Sequence, residues 1–223
     1  MKHLLYILVI LPSLACADGS ICHGTTSDGS LENGVQLPSS GKNFVEYSEI
    51  GRLAGRTYVH SEVRDIVVAA YKALETEEPD KIYKYAETGL KEGGKFWPHK
   101  SHRNGLSVDF MTPVLTKDGK SAVLPTNPFN KFGYNIEFDG NGRYEDYKID
   151  YEAMAAHIVA LHKAAKSRGH DIWRVIFDPK LQPGLFKTKF ASYIKQYIAL
   201  SKKPSWVRHD EHYHVDFIVS CQK

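Results

Sequence analysis

Two long amphipathic segments dominate the hydrophobic pattern of this chain. Between Ser61 and Pro79, the apolar residues Val63, Ile66, Val67, Ala70, Tyr71 and Leu74 recur at helical spacing, and Ser61 is placed to cap the helix they predict. Asp150 is placed to cap a second helix, with Tyr151, Met154, Ala155, Ile158, Leu161, His162 and Ala165 on one face and Gly169 closing it. A third, shorter helix is predicted over residues 189–200. Short alternating or apolar runs predict strands at residues 82–86, 106–110, 132–138, 172–177 and 213–219. Residues 18–44, rich in Gly, Ser, Asn and Asp, read as an irregular arm. Residues 112–130, with Pro113, Pro125 and Pro128, read as a long surface loop, a feature that often carries function. No repeat, low-complexity tract or linker divides the pattern, so it predicts a single α+β domain over residues 18–223.

The first 17 residues have a different character. Lys2 and His3 precede an apolar run from Leu4 to Leu11, which is too short to span a bilayer. Pro12 and Ser13 break it, and Ala15-Cys16-Ala17 offers a small-residue cleavage site before Asp18. The expectation is a signal peptide over residues 1–17 and an exported mature chain. The alternative is a lipid-modified Cys16, but that pattern wants a Leu three residues earlier, where Ser13 stands. Export leaves Cys22 and Cys221, an even pair in an oxidising compartment, and predicts one disulfide closing almost the whole chain. No later stretch approaches the ~18 apolar residues of a membrane helix.

Composition narrows the partners. The 223 residues are 42% hydrophobic and 25% charged, the profile of an ordinary globular chain. A net charge of +3 is compatible with an anionic partner, yet falls short of the concentrated basic surface of a nucleic-acid binder.

The 11 histidines change the picture, because five lie in two tight clusters. The first runs His99-Lys-Ser-His102-Arg-Asn-Gly-Leu-Ser-Val-Asp109, the second His209-Asp-Glu211-His212-Tyr-His214. If residues 108–110 and 213–215 lie on neighbouring strands, alternation turns Asp109, His212 and His214 to one face and Val108, Phe110 and Val215 to the other. Gly105 lets the backbone turn so that His102 swings back over Asp109. Two imidazoles and one carboxylate then converge with a position left open, the arrangement of a catalytic Zn²⁺. The remaining histidines, among them His23, His60, His157, His162 and His170, read as ordinary surface or core residues.

The stretch from Gly94 through Phe110, with Val207-Arg-His-Asp-Glu-His-Tyr-His-Val near the C-terminus, resembles the penicillin-insensitive murein endopeptidases. These belong to the wider lysostaphin, D-Ala-D-Ala peptidase and Hedgehog group of zinc metallopeptidases. The resemblance implies a small antiparallel sheet flanked by helices, with zinc in a groove. It implies zinc ligands His102, Asp109 and His214, with His212 as general base and His209 stabilising the developing oxyanion. His99 corresponds to a further site histidine. In related carboxypeptidases the base is an acidic residue three before the last ligand, and Glu211 holds that place; strand alternation points Glu211 away from the metal, so His212 is the expected base. Arg103, Lys100 and Arg208 flank the site and are expected to hold substrate carboxylates.

The implied activity is hydrolysis of D-Ala–meso-diaminopimelate cross-links between peptidoglycan stem peptides in the periplasm. The rival readings are a D,D-carboxypeptidase, a bacteriolytic effector, or a non-catalytic zinc-dependent wall-binding module. A binding module has no chemical need for both His209 and His212 beside three ligands, which favours the enzyme.

Overall fold

A computed structural model describes residues 19–222; the signal-peptide and Cys16 readings lie outside the described residues. The architecture is mixed α+β. Its central sheet runs in the order Asp171–Ile176, His212–Ile218, Ser107–Met111, Tyr83–Tyr85, Phe44–Glu46, antiparallel throughout except for the last pair. In the middle, His214 lies opposite Asp109, Tyr213 opposite Phe110 and Val215 opposite Val108. Alternation therefore sends the apolar residues to one face and the chemistry-bearing ones to the other.

The apolar face is covered by the two long helices, Ser61–Glu77 and Tyr151–Ser167, which pack on each other. All six stripe residues of the first helix are buried. Its cap departs from expectation: His60 Nδ1 accepts from the Glu62 N–H at 3.1 Å, while Ser61 is already helical and its hydroxyl accepts from Ser20 N at 3.1 Å. An imidazole nitrogen can act as the capping acceptor, and this frees Ser61 to tie down the start of the described chain. Asp150 caps the second helix as expected, accepting from Ala153 N at 3.0 Å. The third helix is shorter than predicted, Ala191–Tyr197.

Two regions that read as irregular carry more order than their pattern shows. Residues 18–44 include a hairpin, Ile21–Thr25 with Asp28–Glu32. Its polar strands lack hydrophobic alternation because it is held from outside, by the expected Cys22–Cys221 disulfide with its 2.02 Å S–S bond. That hairpin supports the first histidine motif: Leu31 N donates to Glu92 O (2.9 Å), Gly94 N to Gly29 O (3.2 Å) and Arg103 N to Thr26 O (3.0 Å). The 112–130 loop contributes two-residue strands, Val114–Leu115 and Ser121–Ala122, to a second small sheet with Tyr147–Ile149 and Arg143–Tyr144. Strands of two residues are too short to show a period. The strand predicted over 132–138 is absent; a 3-10 segment, Pro128–Gly133, leads into irregular chain there. The apolar alternation was genuine burial of Ile136 and Phe138, but the Phe138 N–H goes to the Asp210 carboxylate at 2.6 Å instead of a ladder.

His157 sits in the helix–sheet core, stacked on Tyr71 (ring centroids 4.8 Å) and edge-on to Phe110 (4.7 Å), with Nδ1 bonded to the Tyr213 hydroxyl. Burial pushes its pKa down to about 3. An unfolded histidine titrates near 6.5. Between those values the unfolded chain holds a proton that the folded chain excludes, so stability is lost as pH falls through that window, by about 1.4 kcal/mol per unit. His157→Gln removes the titrating group, so its urea midpoints should decline less steeply from pH 7 to pH 4 than those of the unmodified protein. Parallel declines would show that His157 does not set the acid sensitivity.

Candidate metal centre

Asp109 is the centre of the polar face. It is fully buried on the middle of strand Ser107–Met111, and its two carboxylate oxygens gather five side chains. Oδ1 accepts from His214 Nδ1 at 2.8 Å and lies 3.3 Å from His102 Nε2. Oδ2 accepts from the Tyr134 hydroxyl at 3.1 Å and lies 3.7 Å from His212 Nε2 and 3.8 Å from His99 Nδ1. Burial would raise the Asp109 pKa, but the surrounding imidazoles, His102 first, hold it well below the ordinary carboxylate range.

His102 reaches this point because the backbone reverses ahead of the strand. Its own φ is +67°, a left-handed conformation uncommon for residues with a Cβ. Gly105 is also left-handed, at φ +75°, and a Cβ there would stand 2.7 Å from His60 N. His102 Nδ1 is bonded to the Thr88 carbonyl at 3.0 Å, so that nitrogen carries the proton and Nε2 presents a lone pair. Nε2 is buried, and although it lies 3.3 Å from Asp109 the contact lacks hydrogen-bond geometry and leaves the atom without a partner. A buried, oriented nitrogen lone pair beside a carboxylate is what a metal ligand requires.

His214 is held from both sides. Nε2 bonds the Asp216 carboxylate at 2.8 Å while Nδ1 meets Asp109. Burial alone would lower its pKa; the two carboxylates, Asp216 foremost, drive it upward instead. Asp216 is anchored by the Ser107 hydroxyl (2.6 Å) and Arg174 Nε (2.6 Å). Metal-binding histidines commonly have the second nitrogen fixed by a carbonyl or carboxylate, and both His102 and His214 meet that description.

His99, His102 and Asp109 each offer one ligand atom within 4.8 Å of the others, so these residues could bind a metal ion. His99 differs from His102 in that its Nε2 is bonded to Glu87 Oε2 at 2.5 Å. Burial opposes the Glu87 charge, but hydrogen bonds from His99 and Arg56 overcome it and hold the pKa down to about 2.

The second histidine motif borders an open cleft of about 580 Å³, lined by His99, Tyr134, His209, Glu211, His212 and His214 among others. Burial lowers the pKa of His212 to about 4 and of His209 to about 3. His209 Nδ1 donates to the Val207 carbonyl at 3.0 Å, which leaves Nε2 an acceptor while the ring is neutral.

Two expectations need correction. Glu211 does not turn away from the site. The last strand begins at His212, so Glu211 lies ahead of the regular pleat; it lines the cleft and places Oε1 2.7 Å from His212 Nδ1. Burial, reinforced by the negative charge of Asp109, pushes its pKa up to about 8. Arg103 is held through its backbone to Thr26 and Gly94, and its side chain does not line the cleft. Arg208 is occupied by Asp178 (2.7 Å), Glu137 (2.9 Å) and Asp210 (3.2 Å). Of the three flanking cations only Lys100 borders the cleft, joined there by Arg56.

The sequence reading missed Arg56, Glu87, Thr88, Tyr134 and Asp216. Asp216 had a signal, since it stands two residues after His214 on the same strand and so shares its face. Tyr134 was hidden inside the misread strand, and Arg56, Glu87 and Thr88 belong to no motif.

The fold and this site together define a mixed α+β protein with a candidate metal centre under an open cleft. The family model for penicillin-insensitive murein endopeptidases matches residues 22–223, nearly the whole chain, and the chain belongs to that family of peptidoglycan-hydrolysing peptidases. No curated protein matches the chain in direct comparison.

Proposed function

We propose that this chain is a zinc-dependent murein D,D-endopeptidase of the periplasm, which hydrolyses D-Ala–meso-diaminopimelate cross-links between stem peptides. The observation that carries the metal reading is the partnerless, buried Nε2 of His102 beside Asp109. Three residues would hold the ion: His102 through Nε2, Asp109 through its carboxylate, and His214 through Nδ1. His214 is preferred to His99 as the third ligand because its Nδ1 is already on Asp109 Oδ1 at 2.8 Å, whereas His99 Nδ1 is 3.8 Å from Oδ2. When bound, zinc supplies a Lewis acid that polarises a carbonyl and makes water acidic enough to attack at neutral pH.

The protein groups divide the remaining work. His212, tethered at Nδ1 by Glu211, presents Nε2 on the Asp109 side of the cleft, where it takes the attacking water's proton and later delivers it to the leaving amine. His209, neutral at rest, is assigned to the developing oxyanion: the negative charge forming beside it favours protonation of the ring, so that Nε2 can donate while Nδ1 stays on Val207. Tyr134 and Asp216 keep Asp109 and His214 oriented. The Cys22–Cys221 disulfide is in keeping with an oxidising compartment outside the cytosol.

Metal analysis tests the ligand set. Protein loaded with Zn²⁺ and desalted should retain one ion per chain. His102→Ala should retain less than a tenth of that, and full retention would overturn the assignment.

A further inference from the structure

The same cleft displays two bare indoles. Trp97 is 85% exposed and Trp206 53% exposed, and both line the cavity that contains His209 and His212. Large apolar side chains gathered at the mouth of a cleft mark a binding surface. The backbone at Trp97 is tied to the site. The Trp97 carbonyl accepts from Arg56 Nη2 at 3.0 Å, and the same guanidinium bonds Glu87, which in turn fixes His99. Lys100 Nζ stands over the Trp206 ring, 5.1 Å from its centroid. Val207, 37% exposed, extends the apolar surface beside Trp206.

The stem peptides of murein do not explain this surface. They offer methyl groups, carboxylates and amines, and none has a flat apolar face as large as an indole. The other half of the substrate does. Each pyranose ring of the glycan presents a C–H face with polar groups around its edge, complementary to an aromatic ring whose own edge stays wet. We propose that Trp97 and Trp206 form a sugar-stacking subsite that seats N-acetylated hexosamine rings of the glycan strand while the attached stem peptide enters the metal centre. This rests on the murein reading above. It makes the protein a reader of both halves of its polymer, with the indoles setting preference for peptides still attached to glycan.

The test uses the full mature protein and two kinds of probe. By calorimetry, glycan chains freed of stem peptides should bind the unmodified protein, and the double variant Trp97→Ala/Trp206→Ala should bind them at least tenfold more weakly. Trp173, exposed on an outer strand and outside the cleft, serves as the control, and Trp173→Ala should bind as the unmodified protein does. In kinetics, the double variant should raise KM about tenfold for cross-linked dimers that keep their disaccharides, and less than twofold for the same dimers stripped of sugar. Absence of glycan binding by the unmodified protein, or equal losses on both dimers, would overturn the subsite. If the unmodified protein cleaves neither dimer, it is the murein reading that fails; if it cleaves both and the variant's losses are equal, the murein reading stands and the subsite alone falls.

Discussion

Asp109→Ala is expected to lower hydrolysis of cross-linked muropeptides by about a thousandfold or more, equivalent to about 4 kcal/mol of transition-state stabilisation. Among the described residues, no other side chain touches as much of the site. The carboxylate meets His214 Nδ1 and the Tyr134 hydroxyl directly, and His102, His212 and His99 stand within 3.8 Å of it. Removing it takes away the only anionic ligand of the proposed centre and leaves buried imidazoles facing one another, so zinc retention should collapse together with activity. The fold should survive, because the apolar side of the same strand, Val108 and Phe110, is untouched and stays packed under the helices. Circular dichroism and metal analysis on the same sample separate the outcomes. A folded variant that keeps both its zinc and its activity would remove Asp109 from the mechanism.

His212→Ala should behave differently, retaining zinc yet losing at least about a hundredfold in kcat, the usual scale for general acid–base catalysis. Its Nε2 lies 3.7 Å from Asp109 Oδ2, near the proposed metal position, and its Nδ1 is engaged by Glu211 at 2.7 Å. The structure revises what is expected of Glu211. As the partner of His212 it orients the base, and Glu211→Gln preserves an acceptor for Nδ1, so it should cost only about tenfold, the scale of one hydrogen bond. If Glu211→Gln instead abolishes turnover with zinc retained, while His212→Ala keeps most of its activity, the two residues exchange roles and Glu211 is the base.

Much of this site was legible in the chain because strand alternation is rigid. Once residues 107–111 and 212–218 are neighbouring strands, the facing of Asp109, His212 and His214 follows from a period of two. The helices were legible for a similar reason: a stripe such as Val63 to Leu74 spans several turns and leaves little room for another reading. What failed was short or boundary structure. Glu211 was misplaced because alternation was extended one residue beyond the start of the strand. The region around Tyr134 was misread because buried Ile136 and Phe138 imitate a strand while their backbone bonds go elsewhere. Glu87 and Arg56 act through contacts with His99 and with each other, 12 and 31 residues apart in sequence, which no local pattern encodes. The N-terminal hairpin was unreadable because its order comes from the disulfide and from backbone bonds to the first histidine motif.

In the proposed mechanism a metal held by His102, Asp109 and His214 drives cleavage of peptide cross-links. Mass spectrometry of purified D-Ala–meso-diaminopimelate cross-linked muropeptide dimers addresses it most directly, after incubation with the protein alone, with a chelator, and with chelator followed by excess Zn²⁺. The protein alone should convert dimers to monomers, chelator should stop the conversion, and Zn²⁺ should restore it. Dimers cleaved equally well in the presence of chelator, by protein shown to be metal-free, would contradict that mechanism.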